Sequence, residues 1–339
     1  MNDIIVVNDL DYKNMVISLS LPRMRLKMQI KKIHLENFKK FSCLTINCEK
    51  QNILTGWNNA GKSTTLDALR IVHDVLKFAA RRKPHLINFE DEICASYELG
   101  QQLVRIPIVN ISRNYSDEPA MVRVILENDA ELIVILHESH AVKVHLKTNM
   151  APPRSGKTFI KEFPLSLVVV PTLGPVEEDE HYLTDATISR SENTRTAHRH
   201  LRNILVRKSD EDFEHFSREV SAAWPNIHLE KPQIGSVGQP MQMLFVEDRV
   251  PREIYWSGFG FQVWMLMMLQ FLRGTPKSTL VLDEPDIYLH PEFQTYLIEM
   301  AKKRFGQVFV ATHSSAIISE ANPGEIILVS DHSKVAERK

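Results

Sequence analysis

The sequence predicts an α/β fold: a mixed, mostly parallel sheet flanked by helices, with an inserted antiparallel β-meander and a helical lobe. Three observations predict it. NILTG (52–56) is a short apolar strand that runs into a glycine loop and then into a helix. Roughly the last hundred residues alternate helix and strand, as a parallel sheet covered on both faces requires. From about 97 to 150 the chain changes to short alternating apolar runs separated by turn residues, the pattern of an antiparallel meander.

Taken in order, residues 1–27 show no periodicity and read as an N-terminal extension. KMQIKKIHL (27–35) alternates as a strand, and SCLTIN (42–47) gives a second. After Lys62, the residues Leu66, Leu69, Val72, Leu76 and Ala79 recur every three or four positions, an amphipathic helix that ends near ARRKP (80–84). LVRIPIVNI (103–111), MVRVILEN (121–128), AELIVILHE (130–138) and AVKVHLK (141–147) make up the meander. MAPPRSGKTF (150–159) reads as a loop, FPLSLVVVP (163–171) as a buried strand, and 194–208 and 210–224 as two helices. GFQVWMLMMLQFL (260–272) and 291–305 are helices, while 278–284, 307–313 and 325–330 are strands. The expected organisation is an extension (1–27), a first lobe (28–160), a helical insert region (161–250) and a second lobe (251–339).

Composition narrows the classes. With 43% hydrophobic and 24% charged residues and a net charge of −1, the chain has the balance of a soluble globular protein, and any nucleic-acid contact must be a local patch. Three cysteines supply neither a disulfide framework nor a four-ligand zinc spacing. No apolar run is long enough to span a bilayer, and the N-terminus lacks the apolar core of a signal peptide, so a cytoplasmic protein without membrane contact is expected.

Gly56–Trp57–Asn58–Asn59–Ala60–Gly61–Lys62–Ser63 has the spacing G-x-x-x-x-G-K-[ST] between a strand and a helix. Glycines let backbone amides curl around a phosphate, Lys62 reaches its oxygens, Ser63 can ligate Mg²⁺, and the helix N-terminus faces the anion. A second SGKT (155–158) lacks both the first glycine and the preceding strand, so it is not expected to bind phosphate. LVLDEP (280–285) places Asp283 and Glu284 at a strand's carboxyl end, where ligands of parallel sheets sit. Asp283 would hold Mg²⁺ and Glu284 would polarise an attacking water; the plain alternative is two acids closing a strand. His313, after VFVAT, could orient that water, although a lone histidine is usually structural. Ser257–Gly258–x–Gly260 opens an apolar helix and offers hydroxyl and amides to an anion, or is an ordinary N-cap.

Together these four elements resemble the ABC-type ATPases, in family order: Walker A (56–64), signature (257–262), Walker B (279–284) and switch histidine (313). KIHLENFKKF before the loop, NNAGKS within it and DEPDIYLHPEFQ after the catalytic strand look like the OLD-type branch (overcoming lysogenization defect), which includes bacterial anti-phage ATPases. Asn59 stands where transporters carry glycine, and asparagine tolerates left-handed geometry. The resemblance implies two subunits that sandwich two ATPs. Gly56, Asn58, Asn59, Ala60, Gly61, Lys62, Ser63 and Thr64 would hold each nucleotide, while Ser257, Gly258 and Gly260 of the other copy cap its γ-phosphate. Lys62, Glu284 and His313 would be catalytic, and Ser63 and Asp283 the metal ligands. Two departures stand out. The signature reads SGFGFQ rather than SGGQ, and no glutamine fills the Q-loop position in 168–180, where Glu177, Glu178 and Glu180 stand unassigned.

Ser257 follows Lys62 by only 195 positions, and the stretch between them lacks heptads, so the long arm of the chromosome clamps is not expected. The nuclease domain of full OLD proteins is not expected either. The sequence therefore points to an ATPase sensor or regulatory subunit of an anti-phage system, forming a homodimer or larger homo-oligomer with a separate nuclease or toxin effector. A RecF-like DNA-binding repair ATPase is the alternative. For DNA or an acidic partner, the candidate surface is one helical face carrying Arg195, Arg199 and Arg202, a face that could equally be merely solvated.

Overall fold

The computed structural model describes residues 28–191, 196–236, 238–330 and 336–338. The extension expected at 1–27 therefore lies outside the described residues, as does Arg195. The chain begins with β1 (Ile30–Phe38) and β2 (Phe41–Asn47), then β3 (Gln51–Thr55) and α1 (Lys62–Ala79). Next come β4 (His85–Phe89), β5 (Glu92–Leu99), β6 (Ala120–Leu126), β7 (Glu131–Leu136) and β8 (Val142–Lys147). The middle holds α2 (Gly156–Glu162), β9 (Leu167–Val170), α3 (Asp185–Ser191), α4 (Leu201–Val206) and α5 (Asp210–Ser221). A small hairpin sheet follows, β10 (Ile227–Leu229), β11 (Leu244–Glu247) and β12 (Val250–Glu253). The last part is α6 (Phe259–Phe271), β13 (Thr279–Asp283), α7 (Pro291–Arg304), β14 (Gln307–Ala311), α8 (Ser315–Ser319), β15 (Ile326–Leu328) and β16 (Glu337–Arg338).

Two large sheets organise these elements. One has the order β16-β15-β3-β14-β13-β9, parallel except for β16. The other, β2-β1-β6-β7-β8-β5-β4, is antiparallel throughout. The meander is thus not a separate insertion. It completes one sheet with β1 and β2, which precede the phosphate loop.

Alternation along the parallel strands explains how the layers stack. Leu54, Val169, Val281, Phe309 and Ala311 face a core shared with α1 and the antiparallel sheet. Their neighbours Ile53, Val168, Val170, Leu280, Leu282, Val308 and Val310 face a second core with α5, α6 and α7. Helix α6 is apolar on every side, and Phe261 through Phe271 are all buried.

Local chemistry accounts for the places where the sequence reading and the fold differ. LVRIPIVNI is no strand: a short 3₁₀ turn at Gln101–Leu103 leads into irregular chain. Val104, Ile106 and Ile108 alternate because they are buried, while Pro107 offers no ladder N–H. The two strands at 85–99 were not anticipated, because their turn uses Glu90 and Asp91, at φ 51° and 62°, instead of the usual Asn-Gly. The second SGKT opens α2. Ser155 is its N-cap and forms a capping box with Thr158, so its hydroxyls serve a helix end. The helix expected over 194–208 is broken into a 3₁₀ turn at Ala197–His200 and the short α4.

Candidate functional site

The phosphate loop is shaped by two glycines that no other residue could replace. Gly56 has φ 151°, and a Cβ there would lie 2.4 Å from the Val329 carbonyl oxygen; Gly61 has φ 106°, and a Cβ would lie 2.2 Å from the Phe41 ring. Asn59 is left-handed at φ 62°. The β1–β2 turn therefore lies directly on the loop, and Lys40 donates to the Asn59 carbonyl. Asn58 is exposed, Ala60 is buried, and Thr64 follows Ser63 in the first turn of α1.

Lys62 is almost fully buried. Its Nζ donates to the carbonyls of Gly56 (3.2 Å) and Trp57 (3.3 Å) and lies 2.6 Å from His313 Nε2, which accepts because an ammonium can only donate. Burial pulls the Lys62 pKa down, opposed by Glu284, Asp283 and Asp286. Ser63 Oγ donates to Asp283 Oδ1 at 3.1 Å, although the two residues are 220 positions apart. Asp283 ends β13 at 1% exposure, and Arg70 holds its other oxygen at 2.9 Å.

Glu284 takes a left-handed turn (φ 48°), with its N–H on the Ala311 carbonyl, and its Oε1 lies 3.8 Å from His313 Nε2. Thr312 ties the loop after β14 to Asp286 in the loop after β13, and Ser314 ties it to Gln294 of α7, each at 2.5 Å. His313 sits between those two ties. Parallel strands β3, β14 and β13 thus bring Lys62, Ser63, Asp283, Glu284 and His313 to one edge, at the carboxyl ends of the strands.

The signature segment stands apart. Gly258, not Ser257, is the N-cap of α6, and the Ser257 hydroxyl donates to the Ile254 carbonyl at 2.7 Å. Gln262 is fully buried: its amide nitrogen donates to the carbonyls of Tyr255 and Ser257, and its oxygen accepts from Val176 N–H. It fixes the segment in place. A Cβ on Gly260 would lie 2.9 Å from the Tyr288 carbonyl oxygen, while Gly258 faces open space. A cleft of about 350 Å³ beside the phosphate loop includes Gly56, Asn58 and His313. A different one of about 400 Å³ includes Ser257, Gly258 and Gly260.

A family model described as "AAA domain, putative AbiEii toxin, Type IV TA system" (AAA_21) matches residues 52–319, from β3 through α8. The chain belongs to that family. None of the curated proteins matches it. Among solved structures, the SMC head bound to the C-winged helix domain of ScpA matches with TM-score 0.51 and 14% identity, over 91% of this chain and 96% of that one. The recombination mediator RecF with ATP matches with TM-score 0.52 and 14% identity, over 92% and 99%. RecF-ATPrS gives TM-score 0.50 and 13% identity, over 92% and 98%. At such identities the likeness is one of fold, and this AAA_21 member has the ABC-type ATPase architecture.

The donor set of the family member fits a nucleotide-borne Mg²⁺. Among the described residues no group of three or more His, Cys, Asp or Glu could hold a metal by itself. One carboxylate and one hydroxyl, Asp283 and Ser63, suit an ion that arrives with phosphate oxygens and keeps several waters.

The arginine face is not assembled. Arg199 is exposed and pairs with Glu177 at 3.4 Å. Arg202 is fully buried, donating to Glu253 Oε1 (2.6 Å) and the Glu177 carbonyl (2.7 Å), with Glu180 Oε2 at 3.5 Å. Glu180 also accepts from the backbone N–H groups of Arg202 and Asn203, so it anchors this lobe and does not reach the nucleotide edge. Arg202→Ala is expected to destabilise the protein by about 3–5 kcal/mol in urea unfolding, because it leaves two carboxylates without their cation. A loss under about 1 kcal/mol would contradict the buried pairing.

Sequence reasoning missed Arg70, Asp67, Asp286, Gln294 and Thr312. The first two carried a readable signal: Ser63, Asp67 and Arg70 stand at i, i+4 and i+7 on one stripe of α1. Among the described residues no helix is long and apolar enough to cross a membrane.

Proposed function

We propose that this protein binds and hydrolyses ATP with Mg²⁺ at a composite site completed by a second copy, and that it works as the sensor or regulatory subunit of an anti-phage defence system. The observation that carries the ATPase reading is the convergence of Lys62, Ser63, Asp283, Glu284 and His313 at one sheet edge. The loop amides and Lys62 hold the phosphates, and Glu284 accepts a proton from the attacking water. His313, between residues held by Asp286 and Gln294, would orient that water. Mg²⁺ held near Ser63 and Asp283 would neutralise charge between the phosphates. Support for a second copy comes from the signature residues lining a cleft that shares no residue with the one beside the phosphate loop. Ser257, Gly258 and Gly260 then serve the partner's nucleotide.

The defence role rests on the branch-level motifs and on the AAA_21 description, which names a putative toxin of a type IV system. Its effector, a nuclease or toxin, is a separate protein in this reading, and the place of action is the cytoplasm. The test is ATP hydrolysis and nucleic-acid cleavage by the purified chain. Phosphate release without cleavage is expected, and metal-dependent cleavage that survives in Lys62→Ala would overturn the regulatory role. A RecF-like DNA-binding ATPase remains the alternative reading, but its DNA contact would have to lie elsewhere than Arg202, which is buried.

A further inference from the structure

Asp283 is the pivot of the proposed metal site, yet an aspartate side chain turns easily about its last torsion. Its two oxygens are equivalent unless something distinguishes them. Here Oδ1 receives the Ser63 hydroxyl at 3.1 Å and Oδ2 receives Arg70 NH2 at 2.9 Å. Arg70 is itself pinned: NH1 donates to Asp67 Oδ1 at 2.7 Å, and Asp67 Oδ2 pairs with Lys39 of the β1–β2 turn at 2.5 Å. The Arg70 and Asp67 side chains are only 11% and 15% exposed. Lys39, Asp67, Arg70 and Asp283 therefore form a chain of alternating charge from the turn on the phosphate loop to the end of β13.

We propose that Arg70 is a positioning residue that aims Asp283 Oδ1 at the metal of the bound nucleotide. The inference rests on the ATPase reading. A guanidinium on Oδ2 stops the carboxylate from swapping its oxygens and keeps it beside Ser63. It also supplies Asp283 with a countercharge, so that Lys62 stays on the loop carbonyls and His313 and remains available for phosphate. Ser63, Asp67 and Arg70 share one stripe of α1, so hydroxyl and brace move as one rigid piece. Arg70 Nε has no hydrogen-bond partner, although it is buried. The guanidinium therefore takes the orientation that serves two carboxylates, not the one that satisfies its own donors best.

The test is binding of a fluorescent ATP analogue, mant-ATP, titrated with Mg²⁺ and repeated in EDTA. Arg70→Gln is expected to raise the Mg²⁺ half-saturation about tenfold while leaving binding in EDTA within about twofold of wild type, the scale on which the partners of metal ligands act. Arg70→Lys should fall between, because one ammonium cannot bridge both carboxylates. Asp67→Asn, which loosens Arg70 without touching Asp283, should shift the curve less and in the same direction. Superimposable Mg²⁺ curves for wild type and Arg70→Gln overturn the proposal. So does an equal loss with Mg²⁺ and with EDTA, the mark of a purely structural pin. Should Arg70→Gln fail to fold, unchanged curves in both Arg70→Lys and Asp67→Asn overturn it. A wild-type protein that binds no mant-ATP removes the ATPase reading itself, a result distinct from all of these.

Discussion

Lys62→Ala abolishes ATP binding: the expected loss of affinity is at least about a hundredfold, equivalent to about 3 kcal/mol. Lys62 is 4% exposed, and its ammonium is aimed by the Gly56 and Trp57 carbonyls. Burial has removed part of its hydration and lowers its pKa. A triphosphate therefore meets a charge that costs little further desolvation, and truncation leaves phosphate oxygens facing the loop without that charge. The fold should survive, because the cleft is open to water and can hydrate the freed carbonyls. Isothermal titration with ATP and Mg²⁺ measures the effect, and urea unfolding controls for stability. A dissociation constant within about fivefold of wild type, under 1 kcal/mol, would mean that this loop does not hold the phosphates.

Glu284→Gln separates binding from turnover. Hydrolysis should fall by about a hundredfold to ten-thousandfold, the range of one general base, while ATP affinity stays close to wild type. The backbone at Glu284 is left-handed, and its N–H is committed to Ala311. Glutamine keeps the side chain's size and its reach towards His313 but cannot accept the proton of the attacking water. If the signature of a second copy closes on the bound nucleotide, blocked hydrolysis leaves that closed dimer to accumulate. Gel filtration of Glu284→Gln with ATP and Mg²⁺ should show a dimer that is absent without nucleotide. Unimpaired phosphate release would remove Glu284 from the chemistry, and a monomer in saturating ATP would remove the second copy.

Much of the nucleotide edge was legible because its parts are chain neighbours with strong local constraints. A strand, a glycine at positive φ and a helix N-terminus follow one another from Gln51 to Ala79, and each limits the backbone of the next. Asp283 and His313 were legible for a related reason: each lies at or just beyond the end of an apolar strand, and parallel strands align their carboxyl ends. Ser257 was harder to read. The sequence offered it as a cap, but its hydroxyl turns back to Ile254 and Gly258 takes the cap position.

What failed were judgements about which side of an element meets water. Arg202 and Arg199 look alike in a helical stripe, yet a buried carboxylate, Glu180, and the hairpin glutamate Glu253 claim only the first. LVRIPIVNI alternates like a strand, but burial without a partner strand produces the same pattern. The sequence by itself determined the α/β class and the strand–glycine loop–helix unit from Gln51 to Ala79, since each of these depends on patterns within a short stretch of chain. Only the tertiary structure decided that Arg70 grips Asp283 across 213 positions, that β1 and β2 complete the meander's sheet, and that Arg202 is a core ion pair. Those outcomes depend on which distant charges and strand edges are brought together, and no local pattern encodes that.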